Sequence, residues 1–224
     1  MLTKIVIADE HPLIRRGVRA MIEGIGISFA GSDSVPAFSP AGETGSTDAL
    51  LTLLAENTPD ILLLGYTLNT AQRPGLSSDR DGLALVRGLH QKYPTLNIIL
   101  LSPFKSPQLI RLAIEAGAKA YVSHSLGEKT LRNALICVMK GEIYIEPALM
   151  KGILQSEASL SAREIDVLRL LCKGGNLTDV SRQMHLSIKT VSAHKIRAME
   201  KLQVKNDCQL YGLLARTRMF DIAF

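Results

Sequence analysis

Residues 160–207 read LSAREIDVLRLLCKGGNLTDVSRQMHLSIKTVSAHKIRAMEKLQVKND, a run of helical segments broken at two points by turn residues. Ser161 followed three residues later by Glu164 fits a capping box, and Ile165, Leu168, Leu171 and Cys172 form one apolar stripe at helical spacing. Gly174-Gly175 ends that helix. Asn176 caps a short second helix with Val180 and Met184 inward, and a turn at His185-Leu186 leads to Ser187. Ser187 is a favoured N-cap for a third helix running to about Leu202. Asn206 or Asp207 can cap a fourth, with Leu210, Leu213 and Leu214 on one face. A short helix, a tight turn and a longer helix make a helix-turn-helix.

The third helix divides into two faces. Val191, Ala198, Met199 and Leu202 pack inward, while Lys189, Ser192, Ala193, Ile196 and Arg197 lie wholly or partly outside that stripe. Ser187 and Thr190 stand at the positive helix N-terminus, where hydroxyls and backbone amides can bond phosphate. Small residues near the start let the helix sink into a groove, and Lys195 and Arg197 can neutralise phosphates. Taken alone, this charge pattern fits an ordinary exposed helix with solvated lysines at least as well.

The division of charge along the chain favours a polyanionic partner for this end. Of the formal +5, the residues from Ser156 onward hold 11 Lys+Arg against 7 Asp+Glu, a net of +4, and the preceding 155 residues hold 15 against 14. Excess positive charge confined to one part of a chain is what a surface facing nucleic acid requires.

The first half alternates strand and helix signals. Strands are predicted at Lys4–Ala8, Ile27–Ala30, Ile61–Leu64, Ile98–Leu101 and Ala120–Ser123, and helices at Pro12–Ile22, Asp48–Asn57, Gly82–Lys92, Pro107–Glu115 and Glu128–Lys140. Five βα units in a row predict a doubly wound parallel sheet. Two long loops, Ser32–Thr47 and Asn69–Arg80, interrupt the alternation. The organisation expected is therefore an α/β domain over 1–141, a linker over 142–158 and a small all-α four-helix domain over 159–224. Hydrophobic residues at 46% and charged residues at 21% suit a globular chain of two domains. There is no signal-peptide pattern and no apolar run of membrane-spanning length. Cys137, Cys172 and Cys208 are scattered and lack metal-ligand spacing, as in a reducing cytoplasm.

The features LSxRExxVLxLL, SxKTVSxHK and the closing KLxVxND resemble the LuxR-type helix-turn-helix of the NarL/FixJ response regulators, over the whole C-terminal domain. The resemblance implies that the helix from Ser187 to Leu202 is a recognition helix. Lys189, Ser192, Ala193 and Ile196 then face the groove, and Lys195 and Arg197 reach phosphates. It also implies a dimer on double-stranded DNA, either a homodimer or a heterodimer with a related regulator. His194 reads as a packing residue.

IVIADEHPLIRRGVRAMI resembles the opening of a receiver domain. Such a domain needs an acidic pair for a divalent cation, an Asp phosphoacceptor, a Ser/Thr and a Lys. Asp9-Glu10 supply the pair and Ser102 the hydroxyl. The acceptor position holds Gly65, which cannot form an acyl phosphate, and the Lys position holds His124. Two carboxylates alone make a poor Mg²⁺ cage, so Asp9-Glu10 read as a retained structural pair and no cofactor is expected. The expected function is a DNA-binding transcriptional regulator controlled without aspartyl phosphorylation, through dimerisation or a protein partner. A pseudo-receiver adaptor acting by protein contacts alone is the alternative. An enzyme is disfavoured by the absence of a Gly-rich phosphate loop, a G-x-S-x-G motif or metal spacing.

Overall fold

A computed structural model of the chain describes residues 2–28, 37–69, 82–155, 159–217 and 219–220. The first two-thirds form a six-stranded parallel sheet in the order β2-β1-β3-β4-β5-β6. Its strands are β1 (Leu2–Ala8), β2 (Ala37–Thr44), β3 (Ile61–Gly65), β4 (Asn97–Ser102), β5 (Ala120–Ser123) and β6 (Tyr144–Ile145). Between them run α1 (Pro12–Ser28), α2 (Thr47–Asn57), α3 (Gly82–Lys92), α4 (Pro107–Glu115) and α5 (Glu128–Met139).

The central strands are buried on both faces, as their continuous apolar runs require. Successive side chains alternate between two cores. Ile5, Ile7, Leu63, Ile99, Leu101 and Val122 pack with α1 and α5. Val6, Ala8, Leu62, Leu64, Ile98 and Leu100 pack with α2, α3 and α4.

Two sequence expectations need correction. The second strand is β2, not Ile27–Ala30: α1 runs on to Ser28, and the strand lies inside the segment read as a loop. Among the described residues β2 is the sheet's edge, paired with β1 alone and shifted in register between Ile5 and Val6. An edge strand has no need of a continuous apolar run and tolerates Pro40. The segment expected as a linker over 142–158 instead begins with β6, which pairs with β5, and continues as α6 (Pro147–Gln155). α6 lies on α4, where Arg111 Nη2 donates to the Ile153 carbonyl at 2.9 Å and Leu149 is buried. The five-strand sheet thus gains a sixth strand. The second long loop, Asn69–Arg80, falls outside the described residues from 70 onward.

The C-terminal part is all-helical: α7 (Ala162–Cys172), α8 (Leu177–Met184), α9 (Ile188–Lys201) and α10 (Asp207–Thr217). Each start predicted for the first three is capped. Ser161 and Glu164 form the reciprocal capping box, Asn176 and Asp179 form a second, and the Ser187 side chain accepts from the Thr190 amide. His185 ends α8 in the left-handed region at φ 54°, which turns the chain sharply into α9. Val167, Leu171, Val180 and Val191 form the core that holds these three helices together. Cys172 packs beside them, and burial pushes its thiol up to about 11.

The two parts are joined by packing as well as by chain. One apolar cluster runs from the sheet through Leu160, Leu168, Leu210 and Leu214 to Phe220. Within it the Tyr66 hydroxyl donates to the Thr217 carbonyl at the end of α10.

Candidate nucleic-acid interface and degenerate receiver pocket

α9 carries a buried stripe and an open face. Val191 and Ala198 are fully buried against α7 and α8. Ser187, Ile188, Lys189, Ile196 and Arg197 are exposed, and Thr190, Ser192 and Ala193 are partly exposed. The structure therefore brings the predicted residues onto one helix and its N-terminal turn, uncovered by the α/β domain. Ser187 and Thr190 hydroxyls lie 2.8 Å apart at that N-terminus.

The basic groups differ in what they touch. Lys189 is exposed. Lys195 is mostly buried, its Nζ 2.5 Å from Asp207 Oδ2 at the start of α10. Arg197 Nη2 donates to His194 Nδ1 at 2.9 Å, and its Nε lies 3.7 Å from Glu164 Oε1. Lys201, absent from the sequence reading, donates to Glu164 Oε2 at 2.7 Å. Burial pushes the Glu164 carboxyl up, but hydrogen bonds from Lys201 and Ser161 outweigh it and leave the group below the usual carboxylate range. The capping pattern pointed to Glu164 as a cap, yet the same side chain also ties α7 to α9. Nothing in local sequence marks that second contact.

The pocket at the C-terminal edge of the sheet holds Asp9, Glu10, Gly65, Ser102 and His124, each placed by a strand end. Asp9 is buried, and its Oδ1 accepts from the His11 amide at 2.8 Å and lies 3.0 Å from His11 Nδ1. Its backbone carbonyl accepts from Arg15 Nη1 at 2.7 Å. The Asp9 side chain leans over Gly65. A Cβ built on Gly65 would stand 2.8 Å from Asp9 Cγ and 3.1 Å from Asp9 Cα, closer than side chains pack. His124 Nε2 is 3.8 Å from Asp9 Oδ2 and makes no hydrogen bond among the described residues. Glu10 Oε1 accepts from the Thr67 hydroxyl at 2.5 Å. Ser102 is fully buried and accepts from the Phe104 amide at 3.1 Å. His11, which sequence reading passed over, is thus a member of the pocket.

These groups do not fit the Mg²⁺ that a receiver domain holds. That ion needs near-octahedral oxygen ligands. Here one acidic oxygen is engaged by His11, another by Thr67, and the third carboxylate is replaced by glycine. Among the described residues no three His, Cys, Asp or Glu side chains are arranged to hold a metal.

A parallel sheet with a receiver's strand order, followed by a capped helix-turn-helix, defines a two-part response regulator. Residues 5–136 match the response regulator receiver domain, and residues 158–214 match the bacterial regulatory proteins of the luxR family. The chain belongs to the NarL/FixJ response regulators, a class of DNA-binding transcriptional regulators. It is 26% identical to the oxygen regulatory protein NreC of Staphylococcus epidermidis, over 97% of this chain and 99% of that one. It is also 26% identical to the transcriptional regulatory protein RcsB of Escherichia coli, over 94% and 93%. Among solved structures, two RcsB dimers bound to two parallel DNAs superpose with a TM-score of 0.74 at 25% identity, covering 96% of this chain and 98% of that one. RcsB from Salmonella enterica serovar Typhimurium, bound to the promoter rprA with phosphomimetic BeF3-, gives 0.72 at 26% identity, over 95% and 98%. Among the described residues no helix is long and apolar enough to cross a membrane.

Proposed function

We propose that this chain is a cytoplasmic transcriptional regulator, without catalytic activity of its own, that binds double-stranded DNA as a dimer through the open face of α9 and is controlled without aspartyl phosphorylation. The observation that carries the last point is the Asp9 side chain leaning into the space where a side chain at position 65 would stand. The acceptor is not merely absent. Its place is closed by a buried carboxylate whose other oxygen is engaged by His11. Concentration, or a partner that completes the dimer, then sets occupancy of the DNA. Dimeric, DNA-bound RcsB supports the dimer by likeness.

Lys189, Ser192, Ala193, Ile196 and Arg197 contact the DNA, with Ser187 and Thr190 presenting the helix N-terminus to a phosphate. Lys195 contributes less, because it must first leave Asp207. Duplexes enriched from a random library by the full-length protein provide the probe. Lys189→Ala is expected to weaken binding and lower the salt-dependence slope by about one counterion, with Lys195→Ala giving a smaller change. Acetyl phosphate or beryllofluoride with Mg²⁺ is expected to leave affinity unchanged. A clear gain in affinity, abolished by changing Asp9, would overturn phosphorylation-independent control.

A further inference from the structure

At about 100° per residue, Lys189, Ala193 and Ile196 fall within about 60° of one another on α9 and point away from the buried Val191 and Ala198. They form the centre of the face left open in the full chain. Two of the three cannot form a hydrogen bond. Ile196, in the middle of the helix, is 52% exposed, and Ile188 at its first turn is 48% exposed. Single exposed apolar residues are common on any surface. Here, however, Ile196 sits where a reading helix meets base edges, and every base pair offers hydrogen-bonding groups there. A side chain with neither donor nor acceptor leaves those groups unpaired unless it meets the one apolar group the major groove presents, the 5-methyl of a pyrimidine. Ala193 beside it takes up little room, so the helix backbone can approach closely enough for Ile196 to make that contact.

We infer that Ile196, seated in the groove by Ala193, is a specificity-determining residue that reads the 5-methyl group of thymine, so that each half-site carries a thymine opposite it. This rests on the assignment of α9 as the DNA-reading helix. Ser192, Lys189 and Arg197 supply the polar and charged contacts around the apolar one. The same methyl group occurs on 5-methylcytosine, and the test separates the two sources.

The test uses the full-length protein and a duplex enriched by it from a random library. Each thymine is replaced in turn by uracil, which removes only the methyl. At one thymine per half-site the replacement is expected to weaken binding about fourfold, the factor equivalent to burying one methyl-sized group. Ile196→Ala is expected to abolish the difference between thymine and uracil at that position, and Ile196→Val to retain part of it. Because Ile196 is half-exposed, both variants keep the fold, which circular dichroism checks. Placing cytosine or 5-methylcytosine at the same position shows whether the methyl alone suffices. Tighter binding of the 5-methylcytosine duplex than of the thymine duplex would overturn the assignment to thymine. Equal binding of every uracil duplex, or a uracil penalty undiminished in Ile196→Ala, would overturn the inference while leaving DNA binding intact. Enrichment of no duplex at all would remove the DNA-reading role of α9 and this inference with it.

Discussion

Gly65 brings no carboxylate to the end of β3 and imposes a packing constraint at the same time. It ends β3 beneath the Asp9 side chain, and even a methyl group there would crowd both Asp9 Cγ and Asp9 Cα. Gly65→Ala is therefore expected to destabilise the protein by about 1–3 kcal/mol, the usual cost of overpacking, as measured by urea unfolding. Asp9→Ala removes the carboxylate from that contact, so the cost of Gly65→Ala should be smaller in the Asp9→Ala background. Equal costs in both backgrounds would show that Asp9 does not fill the space. For the same reason, Gly65→Asp alone is expected not to take up phosphate from acetyl phosphate, as read by intact mass. That positions 65 and 124 hold glycine and histidine was legible from the sequence alone. The approach of the Asp9 side chain to Gly65 was not, because it joins residues 56 positions apart and depends on the register of β1 against β3.

At the scale of elements, α7 and α9 are held by packing around Val167 and Val191 and by the buried carboxylate of Glu164. Glu164 accepts from the Ser161 amide at 2.7 Å, closing the capping box, and from Lys201 at 2.7 Å. Glu164→Gln keeps the shape but removes the charge, and hydrogen bonds to charged groups contribute about 1.5–3 kcal/mol. The variant should lose stability in that range near neutral pH. The folded-state carboxyl titrates below its usual range, so it stabilises the fold above the usual glutamate value. That contribution is lost as pH falls through the lowered one. The gap between wild type and Glu164→Gln in denaturant midpoint should therefore narrow on acidification, and a gap constant with pH would refute the assignment. Elements with strong local signals were legible in the sequence: the capped helices α7, α8 and α9, the continuous apolar runs of β3 and β4, and α3 and α4. Those that depend on distant partners were not. β2 is an edge strand with proline and glycine in it, and β6 spans two residues that become a strand only by pairing with β5. α6 is only nine residues long, held by Leu149 and Ile153 against the core and by Arg111 on α4 at the Ile153 carbonyl, a partner that no local signal shows.

On the scale of the whole molecule, the two domains share Tyr66, the residue next to Gly65. Its ring packs edge-on against Phe104 with centroids 5.2 Å apart, and its hydroxyl donates to Thr217 at the end of α10. The Phe104 carbonyl in turn accepts from the Tyr121 hydroxyl at 2.8 Å. A chain of contacts thus leads from buried Ser102, through Phe104 and Tyr66, to the last helix of the DNA-binding domain. This docking leaves Ile196 and Arg197 exposed, so it orders the domain without covering the open face of α9. Removing the Tyr66 hydroxyl deprives the buried Thr217 carbonyl of a donor, at a cost of about 1–3 kcal/mol. Tyr66→Phe is expected to lower the melting temperature and speed amide exchange at Thr217, Met219 and Phe220, with α9 unaffected. Tyr66→Ala, which also deletes the ring from the apolar cluster, should split calorimetric unfolding into two transitions, one for each domain. Because that face is already open, neither variant should bind an enriched duplex more tightly than wild type. A rise in affinity would mean that docking restrains the helix-turn-helix. Unchanged exchange at the end of α10 would mean that the Tyr66 hydroxyl does not hold the domains together.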